Sequence, residues 1–227
     1  AIIEKPVMRY LLLITIVLQA CSNETQTGEQ ALDTTYSEVT GNASTGVTAQ
    51  PAKNDSLIIP GTRMGHIRIG ADASSLETLL GKPTSGDAAM GKAWLTWQGK
   101  MDEHNNPTEL NIFTDYKDSS MSAKRVKLVH TTSAVYGTQK NVHVYSSLDS
   151  ISLAYPTLVK TATYKHRDGR DIAIYASKAQ GIAFEVVSAG EQTICIGIII
   201  YEKGTELTDI YRLRHPHMKV EEVNQFS

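Results

Sequence analysis

Residues 65–83 read Gly65-His66-Ile67-Arg68-Ile69-Gly70-Ala71-Asp72-Ala73-Ser74-Ser75-Leu76-Glu77-Thr78-Leu79-Leu80-Gly81-Lys82-Pro83. The period of this stretch changes midway. Ile67 and Ile69 alternate with polar residues, as in an extended segment with one apolar face. Leu76, Leu79 and Leu80 then fall on one stripe of a helix. Ser74 and Glu77 stand at capping-box spacing before that stripe, and Gly81-Lys82-Pro83 stops it. The reading is a short extended segment, a turn and a two-turn helix.

The pattern returns about 73 residues later. Val142-His143-Val144-Tyr145 takes the place of the extended segment, and Ser146-Ser147-Leu148-Asp149 opens a second helix. Leu148 and Ile151 continue its stripe, and Tyr155-Pro156 ends it. Strands follow each helix. After the first come Lys92–Gln98, Thr108–Tyr116 and Lys124–Thr132; after the second, Lys160–His166, Arg170–Ser177, Gly181–Val187 and Thr193–Tyr201. Asp168-Gly169 is a strong hairpin signal between two of them. Ile172/Ile174, Ile182/Phe184/Val186 and Ile194/Ile196/Ile198/Ile200 alternate and are expected to face one side of an antiparallel sheet.

The predicted fold is therefore α+β, with two tandem helix-plus-antiparallel-meander repeats and the helices packed on one face of the sheet. The globular domain is expected over residues 57–215, its repeats at about 57–134 and 135–204, close to the usual size of one domain. Leu207, Ile210 and Tyr211 then predict a short C-terminal helix. Residues 216–227 are expected to fray.

With Ile67-x-Ile69-Gly70, the capped helix Ser74–Leu80 and Leu80-Gly81-Lys82-Pro83 in place, the pattern resembles a known repeat. It is shared by the β-lactamase inhibitor protein and the small lipoprotein subunit of the outer-membrane β-barrel assembly machine. The second copy departs from it, with Ala154-Tyr155-Pro156 where the first has Gly81-Lys82-Pro83. The resemblance implies a tandem helix-plus-sheet fold, an envelope location and protein–protein binding. It implies no catalytic residues.

The start of the chain carries an address. Lys5 and Arg9 precede an apolar run, Leu11–Leu18, which is far shorter than the roughly 20 residues a membrane-spanning helix needs. The run has the length of a signal-peptide core. Leu18-Gln19-Ala20-Cys21 resembles the lipobox of bacterial lipoproteins, which implies cleavage before Cys21 and its acylation, palmitate included. Two or more chains anchor stably, at about 0.8 kcal/mol per buried CH₂. Met8 as initiator would leave a short signal, so translation is expected to begin upstream of Ala1. Ser22 after the Cys is compatible with outer-membrane sorting, facing the periplasm or the surface. Residues 21–56 are rich in Thr, Ser, Gly, Gln, Asn and Glu, and read as a disordered tether. Its mean reach would be about 30–35 Å.

Function classes can be weighed against the residues. Loss of Lys5, Arg9 and Glu4 with the signal shifts the formal charge from −2 to −3. With no basic block, a nucleic-acid partner is not expected. There is no Gly-x-Ser-x-Gly elbow, phosphate-binding loop, dinucleotide fingerprint or HExxH motif, so no catalytic residue, metal ligand or cofactor is assigned. His215-Pro216-His217 reads as a solvated tail, and Asp102-Glu103 as a solvated loop. Cys195 lies within Ile194–Ile198 and reads as a buried core thiol. Trp94 and Trp97 are the candidate partner contacts. Their odd spacing puts them on opposite faces of one strand, Trp97 toward the core with Leu95 and Trp94 toward an exposed edge.

The expectation is a non-enzymatic protein-binding or assembly module, held to a membrane through lipid on Cys21 and meeting another envelope protein. The alternatives are a ligand-binding lipoprotein with a groove between the repeats, and a hydrolase whose site is assembled from distant residues.

Overall fold

A computed structural model describes residues 55–221. The signal segment 1–20, Cys21, the tether as far as residue 54 and the tail from 222 lie outside the described residues. The chain is mostly β, in two sheets, with few helices. Among the described residues no helix is long and apolar enough to cross a membrane.

The first elements are three short strands, β1 (Leu57–Ile59), β2 (Arg63–Met64) and β3 (Ile67–Arg68), followed by α1 (Ser75–Leu80). The start of α1 differs from the predicted capping box. Ser74 is itself helical and makes no side-chain cap; the Asp72 carboxylate accepts from the Ser74 N–H at 2.8 Å instead. An Asp two residues earlier thus satisfies a free donor of the first turn.

A meander follows: β4 (Ser85–Ala89), β5 (Lys92–Met101), β6 (Pro107–Tyr116) and β7 (Lys124–Thr131). Strand β4 was not expected. It is short, small-chained and fully exposed, so it carries no apolar alternation to read. Then come β8 (Gly137–Thr138) and α2 (Leu148–Ala154), capped by Ser147 accepting from the Ser150 N–H. Residues 142–145 form no named strand, although an extended segment was expected there.

A second meander is built from β9 (Val159–Lys165), β10 (Asp171–Ser177), β11 (Ile182–Ala189) and β12 (Gln192–Tyr201). The Asp168-Gly169 turn joins β9 and β10 as predicted, with Gly169 in the left-handed region at φ +87°. The chain ends in α3 (Leu207–Tyr211) and β13 (Lys219–Val220).

The meanders join edge to edge through β12 and β7, giving one antiparallel sheet of nine strands in the order β13-β9-β10-β11-β12-β7-β6-β5-β4. A separate four-stranded sheet, β3-β2-β1-β8, contains a parallel pair between β1 and β8.

Both faces of the large sheet are buried: α1 and α2 share one face, as expected, and the C-terminal helix α3 covers the other. Leu76 of α1, Ile151 of α2 and Ile58, Met64 and Ile67 of the small sheet pack with Ile112, Ile182, Phe184, Ile198 and Ile200. Leu207 and Tyr211 of α3 join Met218 over Trp94, Phe113, Leu128, Ile172, Ile174 and Ile199. The predicted frayed tail is corrected as far as residue 221. Met218 is buried, Lys219 and Val220 pair with Thr163 and Ala162, and the Glu221 N–H donates to the Thr161 carbonyl at 2.8 Å.

The apolar alternations also divide between the faces. Ile172 and Ile174 lie under α3, while Ile182, Phe184 and Val186 lie under α1 and α2. In β12 the face changes partway: Ile194 and Ile196 pack on the α3 side, Ile198 and Ile200 on the other. A bulge is the cause. Glu185 pairs with Gly197 but Val186 pairs with Cys195, so one extra residue of β12 resets its period of two.

Candidate functional site

That bulge positions a row of polar side chains on the α3 face of the sheet. Register aligns Thr96 of β5 with Asn111 of β6, and Asn111 with His130 of β7. Across β12, Gly197 stands between His130 and Glu185 of β11. A Cβ on Gly197 would sit 2.4 Å from Glu185 Oε2 and 2.6 Å from His130 Nε2. The bare glycine leaves room for His130 and Glu185 to meet over β12 at 3.0 Å.

Glu185 is 3 % exposed and His130 4 %. One oxygen of Glu185 takes the His130 contact. The other accepts from the hydroxyls of Tyr164 (β9) at 2.7 Å and Tyr211 (α3). Burial pushes the Glu185 carboxyl up, but the imidazole and the two phenols outweigh it and hold the group down, at about 2. Burial and the same carboxylate push both phenols far above their ordinary value.

The orientation of His130 follows from Asn111. The Asn111 carbonyl oxygen accepts from Thr96 Oγ1 at 2.6 Å and from Arg214 at 3.1 Å, while its amide nitrogen donates to Glu109 at 3.1 Å. Arginine can only donate and a carboxylate only accept, so the two ends of Asn111 are fixed. The amide nitrogen therefore faces His130 Nδ1, 3.1 Å away, as a donor. Nδ1 accepts, and Nε2 carries the proton directed at Glu185.

The segment after α3 closes this row. Arg214 lies 5.3 Å over the Trp94 ring, and the His215 ring stacks on Tyr164 at 3.9 Å. His215 was expected in a solvated tail and is instead half-buried against the row. Burial lowers it to about 4; Glu185 opposes the effect and Arg214 adds to it.

A cleft of about 450 Å³ lies elsewhere, lined by Met101, Asp102, Ala134, Val135 and Tyr145 among others. Met101 is 61 % exposed and Val135 73 %. Tyr145 stands in the left-handed region at φ +77°, a costly conformation for a bulky residue. Three contacts hold it: its hydroxyl donates to the Asp102 carboxylate, Asn106 Nδ2 donates to that hydroxyl at 3.2 Å, and the His104 ring meets it edge-on at 4.4 Å. The Tyr145 N–H also donates to the Cys195 carbonyl at 2.8 Å, which pins the loop to β12. Asp102, expected as a solvated loop charge, is thus built into the cleft. The Tyr145 hydroxyl, then the N–H groups of Asn106 and His104, lower its carboxyl.

The predicted contacts fall differently. Trp94 and Trp97 do take opposite faces, but Trp94 is the more deeply buried, at 8 % exposure, packed on Phe113 and Tyr211. Its expected exposure is corrected because α3 covers that face. Trp97 is half-buried among the residues under α1, and its indole N–H donates to the Gly81 carbonyl at 3.0 Å. Trp94 is thus covered by α3, while Trp97 stays partly exposed.

Cys195 is fully buried, and burial raises its thiol well above the ordinary value. A thiol reagent is expected to leave native protein with Cys195 unmodified and to react after urea unfolding. Rapid labelling of the native chain at Cys195 would contradict this burial.

Sequence reading missed the polar row and the Tyr145 cleft. One signal for the row was available: Ile182-Ala183-Phe184-Glu185-Val186-Val187 is apolar on both faces of its strand. Such a run is buried on both sides, so its single charge must be paired inside.

No protein-family model and no curated protein matches the chain. It is similar to a solved structure, that of the uncharacterized protein yfeY from Escherichia coli, at 8% sequence identity. The match covers 63% of this chain and 99% of that one, with a TM-score of 0.34. At that score the likeness assigns neither fold nor function.

Proposed function

We propose that the chain is an envelope lipoprotein, anchored by lipid on Cys21, that acts as a non-enzymatic protein-binding or assembly module through the Met101–Val135–Tyr145 cleft. In this reading residues 57–134 and 135–204 are two copies of one helix-plus-meander unit, fused through β7 and β12. The observation that carries the proposal is the pairing of exposed apolar side chains with a rigidly held tyrosine in a preformed cleft. Aromatic and aliphatic anchors beside a preordered concavity lose little entropy on association. The lipobox-like Leu18–Cys21 supports the location, and an envelope protein is the expected partner.

A hydrolase would draw on Glu185 and His130, distant in sequence and joined in space. Both are buried and both Glu185 oxygens are engaged, so the pair acts as a structural tie.

The test is in-cell photo-crosslinking followed by affinity capture, with the crosslinker at Val135, a control at Met90 (96 % exposed) and a Cys21→Ala control. One envelope protein should be captured from Val135 and not from Met90, and its yield should fall with Cys21→Ala. A Val135→Glu substitution is expected to weaken that association by about tenfold or more, because a charge would be desolvated in the contact. Equal capture from both positions, or none from either, would sink the proposal.

A further inference from the structure

We propose that the C-terminal segment from Leu207 to Glu221 is an acid-released strap, docked over the polar row of the sheet at neutral pH and freed from it, with the sheet intact, in mild acid. Its hold on the sheet is local, and includes Arg214 donating to Asn111 at 3.1 Å and Glu221 paired with Lys160 at 2.9 Å. Helix α3 has five residues and cannot persist without packing. Strand β13 contributes two residue pairs at the sheet edge. Leu207, Tyr211 and Met218 supply the apolar contacts, and the Tyr211 hydroxyl ties the strap to Glu185.

The titratable group at the centre of this hold is His215. Tyr164 of β9 stacks on it; Glu185 of β11, His130 of β7 and His166 of the β9–β10 turn face it, as do Arg214 and Tyr211 from its own segment. Only Glu185 welcomes a proton there, and its two oxygens are already engaged by His130, Tyr164 and Tyr211.

The sign follows from linkage. His215 lies at about 4 when docked against 6.5 when free, so docking favours its neutral form. That contribution is complete above pH 6.5 and is lost as pH falls toward 4. The shift of His215 therefore favours release in acid. The His215 shift alone weakens docking by about 30-fold between pH 7.5 and pH 5.

Hydrogen exchange on the full chain tests this. After correction for intrinsic rates, protection over residues 207–221 should fall about 30-fold from pH 7.5 to pH 5, while residues 182–187 keep theirs. His215→Phe, which retains a ring for the Tyr164 stack, should abolish the fall. Should that variant not fold by circular dichroism, His215→Gln, neutral at both pH values, serves in its place. Unchanged protection in the native chain would overturn the proposal. So would a parallel loss over 182–187, which would mean global unfolding, or a fall that persists in the folded variant.

Discussion

Replacing His130 with Ala is expected to lower stability by about 2–3 kcal/mol, because one oxygen of the buried, charged Glu185 loses its donor. The two tyrosine hydroxyls cannot compensate. They donate to one oxygen of Glu185 and leave the other, the one His130 reaches, without a donor. Glu185→Gln should cost about 1–3 kcal/mol: the amide oxygen still accepts from the phenols and the charge disappears, but the amide nitrogen then meets the Nε2 proton of His130, donor to donor. Urea denaturation of the three proteins at pH 7 measures both. The acid limb supplies a second signature. The wild type should lose the Glu185 contribution as pH falls from 4.5 through about 2, and Glu185→Gln should show a shallower loss over that window. If His130→Ala costs less than about 1 kcal/mol, the pair is not the tie described here.

The Gly197→Ala substitution is expected to cost about 2–3 kcal/mol, although it adds a single methyl group. That methyl would lie within 2.6 Å of both His130 Nε2 and Glu185 Oε2. The two groups would have to part, breaking the contact that crosses β12. Gly190→Ala is the comparison. Gly190 has a positive φ of +64° but open space around it, so only backbone strain of about 1 kcal/mol is expected. A double-mutant cycle isolates the cause. In a His130→Ala background the ring has gone, and the Gly197→Ala penalty should shrink by more than about 1 kcal/mol. Independent, additive penalties would show that Gly197 serves β12 alone and not the polar row.

Much of the architecture was legible because it rests on local signals. The strands of both meanders were read to within a few residues, since alternation and turn chemistry act over short spans. Helix α2 was marked by Ser147 and by Leu148 and Ile151. Strand β4 was not readable because Ser85–Ala89 carries only small or polar side chains, and its place follows from pairing with β5. The Trp94 and Trp97 reading took their opposite faces correctly, but which face is open depends on α3, more than 100 residues away.

By itself the sequence determined the strands of both meanders, the two short helices that precede them, the hairpin at Asp168-Gly169 and the burial of Cys195, while the mostly β balance fits the α+β reading only loosely. Each depends on neighbours a few residues apart. Tertiary structure decided which faces are covered, where the β12 alternation resets and which polar groups meet. Glu185 and His130 are 55 positions apart, and Asn111 and Arg214 are 103 apart. Separations of that size leave no local pattern. The contacts exist because strand register, one bulge and one missing side chain at Gly197 bring these groups together in space, and a shift of one residue in that register would point each of them to the other face.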